Sequence, residues 1–179
     1  MKKYFWLIIF LSVFFGGCKS TQFNEEVKDK NNGYNERLYA EALNAIENNS
    51  FVMEIDKATF RSGSTAYLFS HLNFIEVDGK HGVIQVAFDT YRPTPNGLGG
   101  ITVDGNIYGV KFSKNEKGKV SYAYSVQGIS VSAQVLITLY AGGNYAAATV
   151  SPNFNSNKIY FSGRIVSINE SNIFKGRSN

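Results

Sequence analysis

The chain reads as mainly β: an antiparallel meander forming a barrel-like or strongly curved sheet, with one N-terminal helix packed on it. Two observations predict this. Apolar and polar residues alternate along nearly the whole stretch from Gly99 to Val150, and glycine-containing turns interrupt the alternation at short intervals. Side chains in a strand point to opposite faces in turn, so each segment presents one apolar face, and tight turns join sequential neighbours into hairpins.

The strand Ile129–Tyr140 is the clearest. Ile129, Val131, Ala133, Val135, Ile137 and Leu139 share one face, while Ser130, Ser132, Gln134 and Thr138 take the other with Leu136. Lys119–Gln127 repeats the pattern, with Val120, Tyr122, Tyr124 and Val126 on the apolar side, and Ile107–Lys114 does so again. Asn115–Gly118, Gln127-Gly128 and Ala141–Asn144 supply the turns. Further strands are expected at Phe51–Arg61, Tyr67–Val77, Val83–Phe88, Ile101–Asp104, Tyr145–Val150 and Lys158–Ser167. Sheets with one apolar face need a second layer, so the alternatives are a closed barrel and a two-sheet sandwich. Short connections between neighbours favour the barrel. No internal repeat points to a propeller or solenoid.

Ahead of the strands, Asn35–Asn48 has helical spacing. Leu38, Ala42, Ala45 and Ile46 form one stripe, Asn35 is a suitable N-cap, and Asn48-Asn49 is a stop. Residues 18–34 are polar, with Phe23 and Val27 the exceptions, and read as a tether too poor in apolar side chains to order itself. Residues 35–168 form one β-rich domain, and the polar tail 169–179 is expected to fray.

The first seventeen residues are an export signal. Lys2 and Lys3 precede an apolar run from Tyr4 to Phe15, too short to span a bilayer. Phe15-Gly16-Gly17-Cys18 then resembles a lipobox, in which the cysteine is lipidated and becomes the mature N-terminus. Cys18 is the one cysteine in the chain, so no intrachain disulfide and no Cys-based zinc site is available. The expected partner of Cys18 is a membrane, and the expected location is the bacterial envelope at the outer membrane. The formal net charge of +4 falls to about +2 when Lys2 and Lys3 are removed, which leaves no footprint for nucleic acid.

The pattern Asn73–Gly79, then Val83–Phe88, Gly105–Gly109 and Ile159–Gly163, resembles a family of small exported bacterial lipoproteins, domain of unknown function 4251. The likeness runs from about Leu38 to Val166. It implies the β-domain and supplies no activity, cofactor or site residue.

The candidate sites are few. His71 and His81 flank the Asp78-Gly79 hairpin with Glu76 and Asp78. They are weak metal or acid–base candidates; a two-residue hairpin would place Glu76 opposite His81 as a cross-strand ion pair. Gly97–Gly100 lacks the helix and the Lys-Ser/Thr pair that a phosphate loop needs. The irregular stretch Asp89–Gly99 carries Tyr91, Arg92, Asn96 and Leu98, and a long loop in a short-turned β-domain is a natural ligand or partner loop. Ala146–Ala148 and Gly163 mark an interior with small side chains, which either leaves room for a small apolar ligand or lets layers approach closely. No serine sits in a nucleophile elbow. The reading is a lipid-anchored envelope module that binds a small apolar ligand or an envelope protein. The alternative is an envelope hydrolase or other enzyme sited at the histidines or the Asp89–Gly99 loop. No cofactor is implied.

Overall fold

Each strand from Ser50 onward pairs with its successor, and the last returns to the first. The computed structural model describes residues 20–87, 100–129, 131–153 and 158–175. Helix α1 (Ser20–Glu47) precedes strands β1 (Ser50–Thr59), β2 (Thr65–Tyr67), β3 (Phe74–Asp78), β4 (His81–Ala87), β5 (Gly100–Lys114), β6 (Val120–Gly128), β7 (Ser132–Leu139), β8 (Tyr145–Pro152) and β9 (Ile159–Ser167), with a 3-10 turn at Ile168–Glu170. The sheet order is β2-β1-β3-β4-β5-β6-β7-β8-β9, and β1 also pairs antiparallel with β9. Eight antiparallel strands therefore close into a barrel, with β2 added beside the far end of β1. Closure removes the free edges that a sandwich would leave.

The alternation places the apolar residues inside. Tyr122, Phe51, Phe161, Met53, Ile55 and Ile137 are among the largest fully buried side chains. Small residues sit beside large ones. Ala148 lies across from both Ile137 and Phe161, and Ala146 lies between Leu139 and Gly163. The run of alanines thus serves close approach of filled layers. Gly163 is the extreme case: a Cβ there would collide with the Glu54 carbonyl of β1. At that seam β1 carries a bulge between Ile55 and Lys57. Outward positions are Ser, Thr, Gln, Lys and Tyr in the main, the reverse of a membrane-spanning barrel with its apolar outer band. Among the described residues no helix is long and apolar enough to cross a membrane.

The chain divides into compact units at Tyr34/Asn35. Within the second, Ala42, Ala45 and Ile46 of α1 are buried in the barrel core, with Tyr39 and Leu43 packed beside them. The Tyr39 hydroxyl donates to the Gly118 carbonyl at 2.5 Å, and Lys114 Nζ stands 5.7 Å from the centre of its ring. The helix stops where Asn48-Asn49 was expected to stop it, with Asn49 in the left-handed region at φ 51°.

Several boundaries differ from the sequence reading. Helix α1 begins at Ser20, inside the segment expected to be an unstructured tether. Gln, Glu and Lys are good helix formers, and a helix nucleated by packing propagates at one bond per residue without further burial. The expected strand Tyr67–Val77 is two strands, β2 and β3, separated by a turn in which Leu72 N and Asn73 N donate to Phe69 O. Conversely, Ile101–Asp104 and Ile107–Lys114 are one strand. Gly105 is no turn; it lets the β6 backbone at Gln127 approach where a Cβ would clash. Ile129, assigned to an inward face, is 91% exposed in the turn before β7.

The described part of the tail, residues 169–175, is held against the barrel. Ile168 and Ile173 pack over Val52, Phe74 and Val83 on the outside of β1, β3 and β4. Ser171 Oγ donates to Glu54 at 2.9 Å, Phe174 N to the His71 carbonyl at 2.8 Å, and Lys175 Nζ reaches Glu76 at 2.8 Å. The sequence reading weighed the tail's polarity, whereas two isoleucines and a few backbone bonds are enough to hold a strap on an apolar strip.

Candidate functional site

The two histidines do not converge. They sit at opposite ends of β3, a separation on the order of 15 Å for a strand of this length. His81 pairs with Asp104 of β5, Nε2 to Oδ1 at 2.7 Å, both on the outer surface. Its ring therefore has a carboxylate partner, but not the one expected. The hairpin turns on Gly79-Lys80, so Asp78 faces His81 and Glu76 faces Val83. Moving the turn by one residue shifts every opposed pair by two. Glu76 instead lies buried under the strap, with Oε1 bonded to Lys175 and Oε2 without a partner among the described residues. Asn73, Gln85 and Thr102 are the other buried polar side chains among the described residues. Gln85 Nε2 donates to the Leu72 and Phe174 carbonyls at 3.0 and 2.8 Å, and Ala87 N donates to Asn73 Oδ1 at 2.8 Å. Glu76, Gln85 and Asn73 thus fasten the strap and the β2–β3 turn to the barrel wall. Among the described residues no three His, Cys, Asp or Glu side chains are grouped to hold a metal ion. Cys18 and the loop residues Tyr91, Arg92, Asn96 and Leu98 lie outside the described residues.

The outer wall of β5 to β9 is different in kind. It carries a groove of about 420 Å³ running across the strands. The strand register explains its lining. One outward row runs Tyr108 (β5), Ser125 (β6), Gln134 (β7) and Ser151 (β8), with Lys158 beyond it at the start of β9. The adjacent row runs Lys111 (β5), Ala123, Leu136, Thr149 and Tyr160 (β9). Each row therefore has a lysine at one end and a tyrosine at the other, and the two rows run in opposite senses. A bulge in β5 between Tyr108 and Lys111, with Gly109 at φ 63°, brings both residues to the outer face. Without the extra residues, Lys111 would share a face with Ile107 and point inward. Small side chains at Ala123 and Ser125 form the depression between the ends. Four inter-strand spacings separate Lys111 from Tyr160, about 19 Å along the wall.

The charge of this wall leans to one side. Between Gly100 and Ser167 the chain has six basic residues and two acidic ones, Asp104, which pairs with His81, and Glu116 in the β5–β6 turn. The other twelve carboxylates lie outside that stretch. This asymmetry was present in the sequence as a count. Which lysines face the groove was not, because the bulge decides it.

Two phenols inside the barrel lie beneath this wall. Tyr122 donates from its hydroxyl to Asn49 Oδ1 at 2.6 Å, and its ring packs edge-on to Phe51 with centres 5.4 Å apart. Burial pushes its phenol up to about 12. Tyr124 is more deeply enclosed. Its hydroxyl has no partner among the described residues, and burial, then the neighbouring Tyr122, raises its phenol further still.

No curated protein matches the chain. Among solved structures, the crystal structure of a DUF4251 family protein from Bacteroides eggerthii DSM 20697 is similar, with a TM-score of 0.71 and 43% sequence identity. The match covers 83% of this chain and 99% of that one, so a relative crystallises as a domain of this size. The model of the family described as domain of unknown function (DUF4251) matches residues 34–165, from the last turns of α1 through most of β9, and the chain belongs to that family.

Proposed function

We propose that the chain is a lipid-anchored protein of the bacterial cell envelope, held at the outer membrane through Cys18, and that it works as a binding module through the outer wall of β5 to β9. The observation that carries the reading is the pair of opposed rows on that wall. They put Lys111 and Lys158 beside a depression whose lining includes hydroxyl and amide groups, with the exposed Tyr108 and Tyr160 at the far ends of the rows. Exposed aromatic side chains beside fixed polar groups are the usual makings of a recognition surface. The opposite side of the barrel is covered by the strap, and α1 closes one mouth, which leaves this wall for contact. Among the described residues the histidines and carboxylates do not gather in a cluster, and none of these residues favours the enzyme reading.

The test has two parts. Cys18→Ser is expected to release the protein from the membrane fraction and to abolish metabolic labelling with a fatty acid. A photo-crosslinking residue at Leu136, in cells making the full chain, is expected to give a discrete adduct that the same residue at Asn115 does not give. Retention of the Cys18→Ser variant in the membrane fraction would overturn the anchor, and identical adduct patterns from the two positions would overturn the binding face.

A further inference from the structure

We infer that the ligand of the β5–β9 wall is a polyanionic carbohydrate chain, bearing carboxylates or sulfates; this rests on the binding-module reading above. Charge comes first. Lys111 and Lys158 rim the groove, no carboxylate lines it, and the strands that build it hold two carboxylates against six cations. A surface so segregated attracts anions and disfavours cations. Two separated lysines, at opposite corners, suit a chain with repeated charges better than a compact anion, which needs converging donors.

The lining argues for carbohydrate among polyanions. Ser125, Gln134, Thr149 and Ser151 present hydroxyl and amide groups that both donate and accept, which matches a polyhydroxylated ligand. Tyr108 and Tyr160 are 54% and 46% exposed, and each offers an apolar ring face with a polar tip to the C–H face of a sugar ring. An acidic protein partner fits less well. Protein interfaces centre on a desolvated apolar or aromatic anchor, and the middle of this groove is Ala123 with half-exposed Leu136. The groove is lined from β5, β6, β7 and β8 with Lys158 beyond them, an open track across strands rather than an enclosed pocket for one sugar unit.

The experiment uses the chain from Lys19 onward, since a relative of this size folds and crystallises. Affinity electrophoresis and titration calorimetry are run with polygalacturonate and heparin, with dextran as neutral control, polyglutamate as acidic polypeptide, and phosphatidylglycerol vesicles as anionic lipid. Retention by at least one of the two polyanionic carbohydrates and not by dextran is expected, weakening as salt is raised. Lys111→Glu/Lys158→Glu is expected to weaken it by roughly tenfold or more, and Lys111→Ser/Lys158→Ser by less. Both lysines are exposed, so the variants are expected to keep the wild-type thermal midpoint, which is measured alongside. Tyr160→Ala is expected to weaken carbohydrate binding while leaving any polyglutamate binding unchanged. The inference is overturned if neither polyanion is retained, if the lysine variants bind undiminished, or if polyglutamate or the vesicles bind as tightly as the carbohydrates. A discrete Leu136 adduct without carbohydrate binding would remove the ligand class and leave the binding face. Loss of both would remove the face as well.

Discussion

Tyr122 and Tyr124 are neighbours on β6, face the same interior with ring centres 5.7 Å apart, and differ in one respect: one hydroxyl has a partner. Replacing each by phenylalanine therefore has opposite expected signs. Tyr122→Phe removes a 2.6 Å bond to Asn49 Oδ1, and Asn49 is the residue that turns α1 into β1 with a left-handed backbone. The loss of that bond, with its acceptor left in place, is expected to cost about 1–2 kcal/mol. Tyr124→Phe removes a buried hydroxyl that gains nothing in the folded state. Relief of its desolvation favours the variant by about 1–3 kcal/mol, and the small void left by one oxygen returns part of that, so a net gain of about 1 kcal/mol is expected. For a domain of this size each kcal/mol corresponds to about 2–4 °C in thermal midpoint. Urea unfolding at neutral pH, read by tyrosine fluorescence and circular dichroism, measures both. A Tyr124→Phe variant destabilised by more than about 1 kcal/mol would refute the reasoning, because it would mean that the hydroxyl is bonded and the barrel interior is not a dry, filled core.

The same pair makes a pH prediction. Burial raises both phenols above the unfolded value of about 10, so the folded state holds these protons more tightly than the unfolded chain does. Their contribution is complete below pH 10 and is lost as pH rises from about 10 toward 12, where Tyr122 titrates in the folded state. Alkaline unfolding in that window is expected to be blunted in Tyr122→Phe and Tyr124→Phe compared with wild type at matched neutral stability.

Two further outcomes test the closure of the barrel and the strap. Gly163→Ala places a Cβ against the Glu54 carbonyl at the β1–β9 seam and is expected to destabilise by about 3 kcal/mol or to prevent folding; a change under about 1 kcal/mol in urea unfolding would show that the seam has room. Lys175→Ala strips the buried Glu76 carboxylate of its cation and is expected to cost about 2 kcal/mol, with faster amide exchange at Phe174, whose N–H is held by the His71 carbonyl. Adding Glu76→Gln is expected to recover much of the loss, and a double variant no better than the single would place the effect elsewhere.

The period-two alternation located most of the strands, because burial on one face leaves its imprint on every second residue. Val120 to Val126 and Ala133 to Leu139 point inward as read. What the alternation did not carry was anything decided by one extra residue or by contact at a distance. Gly79-Lys80 rather than Asp78-Gly79 forms the tightest part of the first hairpin, and that step moves Glu76 from His81 to the strap. The bulge after Tyr108 moves Lys111 from the inner to the outer face, and with it one end of the groove. Gly105 and Gly163 read as breaks or small fillers in the sequence, yet each marks a place where two backbones touch. The strap was hidden for a related reason. Ile168 and Ile173 are ordinary in a polar tail until Val52, Phe74 and Val83 are known to lie beneath them.

The outer surface of the barrel has two chemistries, and the division follows the strands. On β1, β3 and β4 the outward residues include Val52, Phe74 and Val83, and a strap covers them, held by the polar groups Glu54, Glu76 and Gln85. An outward apolar strip on a water-facing barrel would otherwise be a site of unwanted association, and the C-terminal segment occupies it within the same molecule. On β5 to β9 most outward residues are hydroxyl, amide, lysine and tyrosine, with Ala123 and Leu136 the apolar exceptions in the groove, and most need no cover in water. A barrel held together by its filled interior does not require this second wall to be bulged or to carry lysines beside a groove. Stability accounts for the inward alternation and for the strap, and the crossed rows of lysine and tyrosine are what the proposed binding face rests on.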